Sequence, residues 1–456
     1  MVIVTVLLSR FPALLCRRLQ GEAAWVLTHK VLELGFNIVT LKVLTTLMRD
    51  APAAYGEFNL ALTATVLVAT IVLLPVNQSY LRAYHGTDTS GTRPAITAIM
   101  LRWYAWAGTA VAIVCAVWTR PIAERFGLEP WTPLAAGVVF LTNRWRTLGI
   151  EILEVGRERR RWTIHDVGFL GLQLVAVTGV GLYWRASATN TLLAYAVAAG
   201  VFAVPSVFSL VRAARGADRG RGTAFGRMVV TYGVPAALLL LLQAVQSFAD
   251  RYVLGVWADL DAVGRYVAAY QVCGVPYMFL MGALHSFCVP IAFQRAQDVG
   301  EPQQVWAGDR VIVASVIAYV VVGIIGLGAF MLWGEQVLRL CTTAEFAVPW
   351  AVLVVLAAGR FLQGLSLLLQ NFFAVHKLMT TSLGFRTVGA VLTLPICWVA
   401  IRGNGMYGAA VGSAVSVALY GMIVSFGPGG CFWIVRDARR RTDVGGLAVV
   451  ATEGVA

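Results

Sequence analysis

Charge is what this 456-residue chain has least of: Asp, Glu, Lys and Arg make up 13% of it, about half their usual share in soluble domains. Acids are the scarcer sign, with 23 Asp and Glu against 36 Lys and Arg, which leaves a formal charge of +13. With 59% hydrophobic residues and a mean hydropathy of +0.74, so few charges cannot cover a soluble surface, and lipid must be the main solvent. The seven cysteines are an odd number, and no CxxC occurs, which excludes a disulfide framework and a zinc pattern. Cys115, Cys273, Cys288 and Cys397 sit inside apolar runs and read as small hydrophobes. Also missing are a P-loop, a nucleophile elbow, a metal-ligand cluster and any sizeable loop between apolar runs. These absences argue against an enzyme, a cofactor or a metal, and the positive charge calls for a membrane reading before a nucleic-acid one.

What is present is repetition. Apolar windows near 24–47, 55–79, 95–118, 132–155, 163–184, 190–211, 228–249, 266–292, 311–333, 346–373, 380–401 and 405–427 each reach the roughly 20 residues that cross a bilayer. They predict an all-α polytopic membrane protein of about twelve transmembrane helices. The opening MVIVTVLLSRFPALLCRRLQ has no basic residue before its apolar stretch and places Leu before Cys16, so it reads as an interfacial helix or an over-extended start rather than a cleaved signal. With a cytoplasmic N-terminus and alternating spans, 21 Lys/Arg fall in cytoplasmic segments, 7 in external ones and 8 inside spans. The densest clusters, Arg157/Arg159/Arg160/Arg161, 212–227 and Arg436/Arg439/Arg440/Arg441, all land inside, which places both termini in the cytoplasm. The Gly- and Arg-rich segment 212–227 lies midway and is the natural connector between two lobes, 1–218 and 219–456. It reads as a solvated positive-inside loop, with attraction to anionic membrane lipids compatible with that role.

Ionisable residues inside spans carry the functional information: Lys30, Glu33, Lys42, Arg102, Arg144, Arg146, Glu151, Glu154, Asp250, Arg251, Arg360 and Arg386. Each would cost about 2.5–3.5 kcal/mol at a lipid-facing centre, so the set must line a hydrated interior or pair within itself. Helical spacing groups them into stripes: Lys30, Glu33, Asn37 and Thr40; Arg144, Thr147, Glu151 and Glu154; Gln243, Gln246, Ser247 and Asp250; Arg360, Gln363, Gln370 and Asn371. Stripes in both halves predict a central polar cavity. Its basic excess points to an anionic cargo, because the planar guanidinium fork matches phosphate. The candidate substrate-cavity residues are Lys30, Lys42, Arg102, Arg144, Arg146, Arg251, Arg360, Gln363 and Arg386; Glu33, Glu151, Glu154 and Asp250 are the candidate ion-coupling carboxylates. Blander readings stand beside these. Lys30 and Glu33 at i, i+3 form a local ion pair, Arg102 and Arg251 near span ends snorkel to the interface, and Arg144 and Glu151 find partners on other helices. His285 is a hydrogen-bonded core histidine, and Tyr266, Tyr270 and Tyr277 either stack on sugar rings or pack as ordinary core.

Short motifs link the two halves. Asp250-Arg251, Leu254-Gly255 and Gly264-Arg265-Tyr266 follow a Pro-bearing apolar run that opens at Tyr232, and Tyr55-Gly56-Glu57-Phe58 echoes this 208 residues earlier, with Gly56 matching Gly264 and Phe58 matching Tyr266. Tyr195-x4-Gly200 pairs with Tyr407-x4-Gly412 at a similar offset of 212. Two echoes near one period predict two pseudo-symmetric six-helix lobes around the cavity. With Asn77-Gln78-Ser79-Tyr80-Leu81-Arg82 and Gly405-Met406-Tyr407-Gly408-Ala409-Ala410, these motifs make the chain resemble polysaccharide and lipid-linked oligosaccharide flippases of the multidrug/oligosaccharidyl-lipid/polysaccharide exporter (MOP) superfamily. The resemblance implies alternating access, a bacterial inner membrane, and a polyprenyl-pyrophosphate-linked glycan as cargo, such as an O-antigen, capsule or exopolysaccharide repeat unit. It also implies work beside a polymerase and other polysaccharide-assembly proteins. An ion-coupled drug or cation antiporter of the same superfamily is the alternative, although such cavities usually depend on acids. A non-transport partner of a polysaccharide synthase complex is a third. Lipid II flippases of the superfamily usually have fourteen spans, two more than are counted here.

Overall fold

Apolar runs separated by short polar connections have few options in lipid, where every backbone amide must be bonded within its own segment, and the chain folds as antiparallel helices. The computed structural model describes residues 13–84, 92–215, 223–296, 301–376 and 378–436. The opening segment 1–12, the centre of the 212–227 connector with the expected 218/219 division, and Arg439, Arg440 and Arg441 lie outside the described residues.

The first half comprises α1 (Ala13–Leu47), α2 (Pro52–Val72), α3 (Leu74–Ala83), α4 (Arg93–Val117), α5 (Thr119–Phe126), α6 (Thr132–Val155), α7 (Arg159–Tyr183) and α8 (Ala188–Ala213). The second comprises α9 (Thr223–Met228), a π turn (Val229–Gly233), α10 (Val234–Trp257), α11 (Leu260–Arg295), α12 (Pro302–Cys341), α13 (Trp350–Leu369), α14 (Asn371–Val375) and α15 (Met379–Phe426). Three spans are interrupted helices: α2 with α3, α9 with α10, and α13 with α14. Two more lie back to back in α15. Gly405 adopts φ 52° there, a conformation open to glycine, and the helix doubles back so that Gly408 rests on the Ala400 carbonyl and Gly412 on Cys397. Six spans per half result. Among the described residues nine stretches are long and apolar enough to cross a membrane, one of them covering both spans of α15; α1 and α6, which carry Lys, Arg and Glu along their length, fall outside that count.

Each half packs on itself: α6 against α4 and α8, and α7 against α1 and α8, in the first; α15 against α10 and α13, and α11 against α12 and α13, in the second. The lobes meet where α2 lies against α10 and α11, and α1 against α11. Connections alternate between two rims. One carries Arg157, Arg159, Arg160, Arg161, Arg212, Arg215 and Arg227 and is called the arginine rim; the other is the distal rim.

At the distal rim the lobes are shut. Gly56 and Gly264, the matched glycines of the duplicated motif, meet backbone to backbone: a Cβ on Gly264 would overlap the Pro52 carbonyl and one on Gly56 the Leu260 carbonyl. Tyr55 sits edge-on to Phe346 at 5.5 Å and donates to Gln271 Oε1 at 3.0 Å, while Gln271 Nε2 donates to Asn59 Oδ1 at 3.1 Å. Lys42 Nζ donates to the Thr342 carbonyl and to the Arg339 carbonyl at 3.2 Å. Glu57, buried, accepts from the Glu129 backbone N–H at 2.6 Å and from Thr132 Oγ1, holding the start of α6. Tyr55, Gly56 and Glu57 are therefore occupied structurally, and Phe58 is buried in the core. The second echo is not equivalent in the same way: Tyr195 packs on Phe169 at 5.6 Å, whereas Tyr407 is exposed.

At the arginine rim Gly233 abuts Pro75 and Ser79, and the Arg82 guanidinium lies 4.1 Å over the Tyr232 ring. Between α6–α7 and the end of α11, a cleft of about 420 Å³ opens, lined by Glu154, Arg157, Arg159, Trp162, His285 and Gln294 among others.

Candidate functional site

The second lobe holds two cations, Arg360 and Arg386, with no carboxylate ion pair among the described residues. Two guanidiniums approach the ring of Tyr270 of α11, Arg251 at 4.4 Å and Arg360 at 4.3 Å from its centre. Arg360 Nη1 donates to the Tyr270 hydroxyl at 2.5 Å and to Gln363 Oε1, and Gln363 Nε2 reaches Ser247 Oγ at 2.9 Å. Arg386 Nη1 donates to Gln246 Oε1 at 2.8 Å, Nη2 to Gln370 Oε1, and its guanidinium lies 4.6 Å over Tyr420. Neither Arg360 nor Arg386 forms an ion pair with a carboxylate among the described residues, and the Nε of each is buried without a partner. Asp250 lies within electrostatic reach of Arg251 and accepts from the Tyr266 hydroxyl at 2.5 Å and from the Arg251 backbone N–H at 2.8 Å. The stripes of α10 and α13 read from the sequence thus interlock with each other and with α15.

The first lobe is closer to charge balance. Arg146 Nη1 meets Asp166 Oδ1 at 2.7 Å and its guanidinium lies 3.7 Å over Phe169. Asp166 Oδ2 also accepts from His29 Nε2 at 2.9 Å, and the His29 ring lies against Trp162 with centroids 3.8 Å apart and planes tilted by 33°. Lys30 and Glu33 form the local i, i+3 pair at 2.7 Å, facing α11 at Gly282. Glu151 accepts from Asn77 Nδ2, a partner on another helix, and Arg144 lies within electrostatic reach of Glu151, Tyr104 and Tyr195. Glu154 is exposed in the cleft, 3.5 Å from Arg159.

Several expected positions differ in the structure. Arg251 does not snorkel: it is 5% exposed, because Phe248 and Tyr270 offer it aromatic faces. Lys42 sits in the distal seam rather than in a cavity, since its long stem reaches carbonyls of the other lobe. Arg102 is exposed on α4 and among the described residues bonds only the Ala98 carbonyl of its own helix at 3.3 Å; Arg102→Gln is expected to leave membrane level and transport within about twofold of wild type, checked by immunoblot and export assay. Tyr266, Tyr270 and Tyr277 are all buried, so none presents a free face for a sugar in this state. Sequence reasoning passed over His29 and Asp166, although both fall inside the expected first and fifth spans, where an ionisable side chain is itself the signal.

No protein-family model matches the chain. It is 25% identical over 175 residues to a Haloferax volcanii protein described as a probable low-salt glycan biosynthesis flippase, Agl15, a match covering 38% of this chain and 36% of that protein. The matched region is thus about a third of that relative's length. Among solved structures, the inward-facing form of a multidrug resistance MATE family transporter aligns with a TM-score of 0.67 at 14% identity, covering 91% of this chain and 95% of that one. The lipid II flippase MurJ, inward closed, aligns at 0.64 and 10% identity over 94% and 92%. A MOP superfamily transporter from Pyrococcus furiosus, described as having a binding pocket of reversed polarity, aligns at 0.64 and 13% identity over 92% and 94%. The chain therefore has the two-lobe, twelve-helix fold of the MOP superfamily transporters, and it is a multi-pass membrane protein. The proteins it resembles are transporters and flippases rather than enzymes, among them the sequence relative described as a probable glycan biosynthesis flippase.

Proposed function

We propose that this protein is a flippase for a polyprenyl-pyrophosphate-linked oligosaccharide, an O-antigen, capsule or exopolysaccharide repeat unit. It carries the headgroup from the leaflet at the arginine rim to the leaflet at the distal rim by alternating access. The observation that carries this reading is the pair of guanidiniums on Tyr270, of which Arg360 has no carboxylate partner and a buried, unpartnered Nε. A diphosphate supplies the acceptors that such a group lacks. The open cleft on the arginine rim and the shut distal seam are the arrangement expected before loading. In this reading the protein lies in a bacterial inner membrane with both termini cytoplasmic, and polymerase and other polysaccharide-assembly proteins take over its product. The drug or cation antiporter is the second reading, favoured by the likeness to MATE transporters. Against it, Glu33, Asp166 and Glu154 are each paired with a cation within 3.5 Å, which leaves Glu151 and Asp250, bonded to neutral groups, as the acids such an antiporter would have to use.

The test is deletion of the gene in its host, followed by complementation. Deletion is expected to trap lipid-linked repeat units on the cytoplasmic side, and wild type to release them. Arg360→Gln is expected to release them about tenfold more slowly at normal membrane level, the effect of losing one charge-assisted hydrogen-bond donor set. Wild-type export by Arg360→Gln would sink the cationic-site reading.

A further inference from the structure

Arg386, a candidate substrate-cavity residue by sequence, has none of its partners in common with the Arg251–Tyr270–Arg360 group. It lies at the start of α15 and is 3% exposed, enclosed by Gln246 of α10 (5% exposed), Gln370 and, further along α15, Tyr420 (2% exposed). Every protein group bonded to it is neutral, and no carboxylate among the described residues forms an ion pair with it. A buried guanidinium with no counter-charge is among the least favourable arrangements a protein interior can hold. Three donors or potential donors in this cluster also lack acceptors: Arg386 Nε, Gln246 Nε2 and the Tyr420 hydroxyl are all buried and unpartnered. They are close together, since Gln246 Oε1 is bonded to Arg386 and a Cβ built on Gly389 would touch both Gln246 Nε2 and the Tyr420 ring, the latter at 2.6 Å.

We propose that this cluster is a binding site for one small monovalent anion of the halide class, held by Arg386 Nε, Gln246 Nε2 and the Tyr420 hydroxyl inside the second lobe. One fixed positive charge calls for one negative charge. Halides accept hydrogen bonds from several directions, as orphaned N–H and O–H groups from different helices require. The cluster of Arg386, Gln246, Gln370 and Tyr420 shares no residue with the Arg251–Tyr270–Arg360 group, so the two sites are separate. A bound anion would tie α10 to both spans of α15 and let the lobe move as one body. The proposal does not depend on the identity of the cargo.

The experiment uses the purified full chain in detergent, exchanged into gluconate, with the thermal unfolding midpoint followed during titration with chloride, bromide or gluconate at constant ionic strength. Wild type and Arg360→Gln are expected to show a saturable rise with chloride and bromide and none with gluconate, and Arg386→Gln none with any. Tyr420→Phe, which keeps the ring under the guanidinium and removes only the hydroxyl, is expected to weaken the chloride Kd about tenfold and keeps the test valid should Arg386→Gln fail to fold. Bromide-soaked crystals are expected to give anomalous density beside Arg386. An equal rise in Arg386→Gln and wild type, no saturable rise in wild type, or an unchanged Kd in Tyr420→Phe would each overturn the site.

Discussion

Asp166→Ala is expected to destabilise the protein by about 3–5 kcal/mol, because it strands a buried positive charge. Asp166 is the sole ion-pair partner of Arg146 among the described residues, at 2.7 Å, and it also takes the His29 Nε2–H at 2.9 Å. Without it, Arg146 keeps only the Phe169 face and Asn143 Oδ1 at 3.0 Å, neither of which carries a negative charge. The three residues come from α1, α6 and α7, so the loss spreads across half of the first lobe. Thermal unfolding in detergent and membrane abundance both report it. Replacing the pair together, as Arg146→Met with Asp166→Leu, is expected to recover a large part of the loss, since no charge is then left unpaired. Equal midpoints for Asp166→Ala and wild type would show that the cluster is hydrated and contributes little.

Gly264→Val acts by geometry rather than charge. A Cβ at Gly264 already overlaps the Pro52 carbonyl and comes within 2.9 Å of its carbon and 3.2 Å of the Gly56 nitrogen. The obstacles are backbone, which has no rotamer with which to yield. The lobes are expected to stand apart at the distal rim, because each folds around its own contacts and only the seam is wedged. Export is expected to fall about a hundredfold at near-normal membrane level, as the state shut at the distal rim is lost to a clash of several kcal/mol. Spin labels on Arg49 and Glu345, which are exposed residues in distal-rim connections of opposite lobes, should report a longer distance. Gly56→Val is expected to behave alike, and the double variant to be little worse than either, because both substitutions break one contact. Additive losses would mean that the two glycines serve separate purposes.

Both variants bear on what a single sequence can convey. Hydropathy alone placed twelve spans, since lipid exposure is a property of each segment taken separately. The ends were less legible: α11 runs to 36 residues and α12 to 40, well past their apolar windows, because nothing in their polar flanks breaks a helix. The duplicated motif revealed that Gly56 and Gly264 correspond, but not that they touch, as correspondence and contact are different facts. The candidate site was legible as stripes, since period 3.6 fixes which residues of one helix share a face. Which stripes face each other is decided by packing between helices far apart in the chain. So Gln363 with Ser247 and Arg386 with Gln246 could not be read in advance, nor could the two aromatic rings that keep Arg251 inside rather than at the interface its blander reading allowed.

The Lys42 contact carries an evolutionary consequence. Its ammonium is received by main-chain oxygens, those of Arg339 and Thr342, at the end of α12 where the helix dipole already favours a cation. Every amino acid presents the same oxygen. The receiving side can therefore drift freely in residue identity across generations, while any gain or loss of a residue between 339 and 342 would rotate the carbonyls out of reach. Divergent descendants of this gene should show varied letters but constant spacing there, and a lysine or arginine opposite.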